Sequence, residues 1–306
     1  MGKYTIRRLL IGLVTLFVLA TITFFLMHAI PGSPFSGETS RLPAHIKEML
    51  INQYDLDKPI PTQYVKYLGN VLRGDFGTSL SHNGRNVTDI IKLGLPNSLN
   101  LGAVAFCIAI IVGVALGAAA AFSKHRWVNN AVAFISTIGA CVPGFLLALL
   151  MMMLFGVILH WLPIVGLSSW RHYIMPGFAL ALAPIAMISR LTRTSLMEVM
   201  KQDYMVLAKS KGTGRVMLIL RHAMKNALIP VVTYAGPLLA TLLTGSFVIE
   251  TLFSVPGIGA EFVTSVSNRD YTMIMALTIF YGTFIIVCNL IADLITAALD
   301  PRIRLK

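Results

Sequence analysis

Charge is what this chain has least of. Asp, Glu, Lys and Arg make up only 12% of its 306 residues, against roughly 25% in soluble domains, and that shortfall excludes an ordinary water-soluble fold. Acids are the scarcer sign, with 13 against 25 basic residues. There are three cysteines, Cys107, Cys141 and Cys288, each inside an apolar run and none in a CxxC pair. They read as small packing residues, and no disulfide framework is implied. No GxxxxGK[ST] is present to cradle ATP phosphates, and no GxSxG to expose a nucleophilic serine. The seven histidines form no HExxH or other close zinc spacing, so no metal site is expected. No set of acid, base and nucleophile converges, and the chain is not expected to be an enzyme. A midspan run of carboxylates of the kind proton-coupled carriers use is missing as well.

What fills the chain instead is apolar sequence. Hydrophobic residues reach 56% and mean hydropathy is +0.75. Six runs are long enough to cross a bilayer: Leu9 to Ile30, Leu99 to Phe122, Ala131 to Leu159, Tyr173 to Ser189, Leu228 to Ile249 and Met273 to Leu299. At about 1.5 Å per residue the first covers roughly 33 Å, enough for a hydrocarbon core of about 30 Å. Lys3, Arg7 and Arg8 precede it as they would a signal peptide. The run exceeds a typical signal core, however, and no small-residue cleavage site follows, so a retained anchor is expected. The composition therefore predicts an all-α integral membrane protein of six transmembrane helices, with the whole chain, 1–306, as one transmembrane domain.

The net charge of +12 could suggest a nucleic-acid partner, but its distribution has another cause. With the N-terminus in the cytoplasm, sixteen basic residues fall inside and nine outside, while three acids fall inside and nine outside. Asp293 lies within a span. This is the positive-inside pattern; it places both termini in the cytoplasm and leaves no role for nucleic acid.

Two segments outside the spans are long, 32–98 on the outer side and 190–227 on the inner side. The outer one contains a helix from Pro61, with Tyr64, Leu68, Val71 and Leu72 on one face and Arg73-Gly74 ending it, and a weaker helix around Ala44 to Gln53. Together they form a small cap. Arg73-Gly74-Asp75 and Asp75-Phe76-Gly77 resemble an adhesion tripeptide and a kinase motif, but neither has its context, and turn chemistry explains both. The inner segment reads as two short helices, Ser195 to Lys209 and Arg215 to Leu228, interrupted by Gly212 and Gly214. Such a unit can dock into a partner's groove; a solvated basic loop drawn to anionic membrane lipid is the alternative. Gly113 and Gly117 form a GxxxG helix-packing face, within the chain or between subunits. Asn289 and Asp293 lie one turn apart in the last span, on a path or as a structural pair.

Taken in order, several motifs resemble those of the permease subunits of bacterial oligopeptide, dipeptide and nickel ABC importers, along almost the whole chain. They are Pro31-Gly32-Ser33-Pro34; Tyr54-Asp55-Leu56-Asp57-Lys58-Pro59 with Gln63-Tyr64; Gly74-Asp75-Phe76-Gly77; Ala208 to Gly212; Arg221-His222; Asn226 and Pro230; Glu250-Thr251 with Pro256-Gly257-Ile258-Gly259; Arg269-Asp270-Tyr271; and Asp300-Pro301-Arg302-Ile303-Arg304. The long outer segment resembles the oligopeptide "B" subunit most. The resemblance implies a type I ABC importer permease fold in the bacterial inner membrane, and a path formed with a second permease. Further implied partners are two cytoplasmic ATPases, which would hold the ATP and Mg, and an extracytoplasmic peptide-binding protein; this chain would bind no cofactor itself. It also implies a coupling role for Asp203, Tyr204, Ala208, Lys209, Lys211, Gly212, Arg221 and His222. Val206 stands where the general coupling loop has a glutamate. Glu250, Pro256, Gly257 and Gly259 read as a gate or receptor-docking loop, or as a packed turn. A nucleotide-independent channel or secondary transporter for small solutes is the other reading of six spans without a P-loop.

Overall fold

The computed structural model describes residues 2–29, 47–49, 51–52, 55–82, 84–214 and 217–299. The motifs at Pro31 to Pro34 and Asp300 to Arg304, with Tyr54, lie outside them. The described residues are mostly helical and contain no strand; one isolated antiparallel bridge joins Thr78 and Asn86. Among the described residues, four helices are long and apolar enough to cross a membrane: Thr5–Ala29, Val87–Phe122, Trp170–Val199 and Tyr271–Ile295. Two bent pairs raise the number to six if each counts as one span.

The helices are α1 (Gly2–Ala29), α2 (Ile60–Leu72), α3 (Val87–Phe122), α4 (Arg126–Cys141), α5 (Gly144–Met151), α6 (Ile174–Val199), α7 (Asp203–Ser210), α8 (Met224–Ala227), α9 (Ile229–Leu243), α10 (Phe247–Leu252), α11 (Ile258–Asn268) and α12 (Tyr271–Leu299). The expected third span is not one rod. Val142 is extended and Pro143 follows, so α4 stops and α5, continued by a π-helical stretch Met152–Ile158, leaves at 109°. Proline lacks the N–H that would continue the ladder and pushes its predecessor out of the helical region. The fifth expected span also departs from its hydropathy window. It bends by 53° where Pro230 opens α9, and stops at Leu243 because Gly245 adopts φ +86°. The second apolar run is extended in the other direction, since α3 begins at Val87 with Asn86 Oδ1 accepting from Thr88 N at 2.8 Å. Its 36 residues measure roughly 54 Å, more than the hydrocarbon core needs.

Two compact units divide the chain: Met1–Asn97 with Pro256–Ile286, and Ser98–Val255 with Val287–Lys306. In the first, α1 packs through Phe24 against Tyr64 and Tyr67 of α2, and Thr21 Oγ1 lies 2.7 Å from Tyr64 Oη. Its other face is apolar and open, as at Leu13 and Val14, as a bilayer requires. A second cluster joins Val87 and Ile91 to Ile258, Met273 and Leu277.

The second unit is built on α6, whose buried face holds Ala181, Ile185 and Ile188 against Ala105, Ala109, Val231 and Leu238. Small residues set the helix spacing there. A Cβ on Gly113 would lie 2.8 Å from Ile188 Cβ, and one on Gly117 2.5 Å from Ser189 O, so both face α6. Gly236 is tighter: its added Cβ would sit 1.9 Å from Ala292 Cβ on α12. Since hydrocarbon outside is as apolar as the helix face inside, this close approach and its dispersion contacts hold the helices together. Gly236→Leu is expected to destabilise the protein by about 1–3 kcal/mol through overpacking, seen as a lowered thermal midpoint in detergent; an unchanged midpoint would mean that α9 and α12 do not approach so closely.

Candidate functional site

The segment after α6 is built around one methionine. Met205, 2% exposed, inserts among Leu196, Leu218, Ala223 and Ala227, with Ala208 packed at the edge. Asn226 Nδ2 donates to Tyr204 Oη at 2.8 Å, tying α7 to α8. The expected helix Ser195 to Lys209 is thus interrupted: α6 runs to Val199, Gln202 is extended, and α7 starts afresh with Asp203 in its first turn and Lys209 in its last, the order that suits a helix dipole. The end of α7 is closed by Lys211 N donating to Leu207 O at 3.1 Å and Gly212 N donating to Lys209 O at 3.0 Å. Gly212 has φ +82° and open space where a side chain would begin. Its requirement is therefore conformational rather than steric.

The outward face of this segment is apolar and basic together. Val206 is 60% exposed, Leu207 57% and Leu220 66%, and Lys209 and Lys211 are exposed with them. Arg221 is exposed and His222 half-buried on the π-helical turn Leu218–Ala223 that precedes α8. The arrangement can present a rigid, sticky, cationic knob.

The other expected residues are placed as follows. Glu250 of α10 is fully buried and accepts the Ser98 hydroxyl at 2.8 Å. The left-handed Gly245 lies beneath it, and a Cβ there would come within 2.3 Å of Glu250 Oε1. Pro256, Gly257 and Gly259 belong to the first unit and open α11: Asn97 Nδ2 donates to Pro256 O at 2.9 Å, and Gly94 lies against Gly257 and Ile258. Asn289 and Asp293 share α12 one turn apart, and Asn289 Oδ1 is buried without a hydrogen-bond partner among the described residues.

A polar knot in the first unit was not foreseen. Asp270, fully buried, accepts Ser79 Oγ at 2.5 Å and Ser81 N at 3.0 Å on one oxygen, and Thr272 Oγ1 at 2.8 Å and Met273 N at 3.2 Å on the other. Ser79 gives its proton to Asp270, so its oxygen accepts from His82 Nδ1 at 3.1 Å, which fixes the proton on that nitrogen. His82 Nε2 then faces Glu261 Oε1 at 3.4 Å, outside hydrogen-bond geometry, and the two attract when the imidazole carries a second proton. Of these residues, only Asp270 belongs to a motif visible in the sequence; Ser79, His82 and Glu261 carry no local signal.

Residues 113–305 match the family described as binding-protein-dependent transport system inner membrane component, and residues 1–102 match its N-terminal companion. The chain belongs to this family. It is 41% identical over 100% of its length to the dipeptide transport system permease protein DppB of Bacillus subtilis, covering 99% of that protein. It is 42% identical over 99% of its length to the oligopeptide transport system permease protein OppB of Escherichia coli, covering 100% of it. Among solved structures it resembles the MetNI methionine ABC transporter in inward-facing conformations, with TM-score 0.54 and 16% identity over 70% of this chain and 97% of that one. An amino acid ABC transporter gives TM-score 0.54 and 16% identity over 69% and 94%. These structures share its fold. A family of multi-pass inner membrane components accounts for the apolar helices, and its members are permease rather than catalytic subunits.

Burial raises the pKa of Glu261 above its usual 4.5; the His82 charge opposes this, Asp270 adds to it, and the Ser265 hydroxyl opposes it. The native state therefore holds this proton more tightly than the unfolded chain, and stability falls as pH rises from 4.5 through the raised value. Thermal midpoints of wild type and Glu261→Gln, measured in detergent across that range, are expected to diverge in favour of the variant as pH rises. Parallel curves would show that Glu261 is not desolvated.

Proposed function

We propose that this chain is the membrane-spanning subunit of an ATP-driven importer of peptides. With a second permease it forms the path, and cytoplasmic ATPases drive it through the segment 190–227. The family match and the full-length likeness to dipeptide and oligopeptide permeases support this reading. The observation that carries it is the α7 knob, a short helix anchored by Met205 and stopped by Gly212, with Val206, Leu207 and Lys209 turned outward.

In this reading, ATP and Mg reside on the partner ATPases, and this chain performs no covalent chemistry. Closing the ATPase dimer displaces the knob, and because α7 is pinned to α8 and to the end of α6, the displacement passes into the spans. The motion is alternating access, with hydrolysis resetting it. An extracytoplasmic peptide-binding protein delivers cargo to the outer side. Both termini lie in the cytoplasm, consistent with the surplus of basic residues assigned there.

Purification from the native membrane in mild detergent is expected to recover a second permease and two ATPase copies; recovery alone or as a homo-oligomer would favour a self-sufficient channel or carrier. Gly212→Pro, which forbids the positive φ and removes the N–H donated to Lys209, is expected to leave ATP hydrolysis running while peptide uptake falls by about tenfold or more. Normal uptake at normal expression would remove Gly212 from the coupling role.

A further inference from the structure

One polar cavity in the second unit has no part in the function above. It has a volume of about 170 Å³ and lies between α4 and α6. Asn129, Ser136 and Thr137 of α4 line one side, and Ser189, Arg190 and Arg193 of α6 the other. Both arginines are exposed, and among the described residues neither is paired with a carboxylate. The Thr137 hydroxyl donates to Ala133 O at 2.9 Å, which leaves two guanidiniums beside the hydroxyls of Ser136, Ser189 and Thr194, a set that suits a tetrahedral or planar anion.

A further observation narrows the ligand. The same helix α4 leaves Trp127 70% and Phe134 66% exposed, one at the charged end of the run and one about two turns further along it. An interfacial tryptophan, an apolar strip below it and basic residues around it are the features of a phospholipid contact at the membrane surface.

We propose that the cavity binds the headgroup of an anionic phospholipid of the inner leaflet. Its phosphodiester sits between Arg190 and Arg193, beside the Ser136 and Ser189 hydroxyls, and its acyl chains lie along the Phe134 face. The leaflet, though not the site, rests on the cytoplasmic placement of residues 190–227. Lipid held there ties α4 to the end of α6, the helix that leads into the α7 knob.

The test uses the full-length protein in its native complex, purified in mild detergent and titrated with phosphatidylglycerol, phosphatidylcholine or inorganic phosphate while bound lipid is read by native mass spectrometry. Phosphatidylglycerol is expected to be retained in preference to phosphatidylcholine. Arg190→Gln with Arg193→Gln should weaken that retention by about tenfold or more, whereas Lys225→Gln, a lost cation outside the cavity, should not. Ala133→Trp, which fills the cavity and keeps both charges, should weaken it too. Equal retention of the two lipids, or retention unaffected by both cavity variants, overturns the site. Displacement of the lipid by millimolar inorganic phosphate overturns the lipid assignment in favour of a soluble anion. Companion subunits remaining in place throughout would separate a failure here from a failure of the importer reading.

Discussion

A backbone amide in hydrocarbon has no water to turn to, and the spanning helices of this protein are arranged around that constraint. It explains why the long apolar runs among the described residues are helical, and why the breaks at Pro143 and Gly245 fall where a proline or a left-handed residue forces them. At Val142 and Pro143 the ladder is interrupted where proline has no N–H to offer, and Val142 N donates back to Ile138 O at 2.8 Å, so the end of α4 is closed. At Gly245 the turn is satisfied by its own N–H donating to Leu242 O at 3.3 Å. With backbone polarity settled inside each helix, what remains to order the helices is contact distance. That is why Gly236, where an added Cβ would meet Ala292, sets how closely α9 and α12 approach.

The long spans and the charge asymmetry were legible from composition because they are sums over many residues. The breaks were less so. Pro143 and Pro230 are visible in the sequence, but an averaging window runs over them, and the 109° bend depends on one residue pair. The early start of α3 at Val87 escaped for the opposite reason: residues 87–98 carry Asp89, Lys92 and Asn97, so hydropathy falls while helix formation continues, and only the Asn86 cap marks the boundary. The outer helix was readable because Pro61 and Gly74 punctuate it at the ends where those residues are tolerated.

The functional segments divide along the same line. The 190–227 segment was locatable because charge interrupts apolar sequence and glycine follows, and Gly212 does take up a left-handed conformation. Its interior was not readable, since Met205 looks like any other apolar residue until its contacts with Leu218 and Ala223 are seen. The polar knot around Asp270 lay beyond reach because its members are scattered from residue 79 to residue 273 and meet only through the fold. Long-range pairs of single polar residues leave no periodic trace.

Val206 has a thermal consequence. A carboxylate at that place would contribute an attraction that dissolved ions screen over a distance of about 8–10 Å. An exposed valine offers a contact that salt leaves almost untouched and that weakens on cooling. In the coupling role proposed above, the share of the knob's adhesion that residue 206 would supply is therefore tuned to warmth rather than to the ionic strength around it.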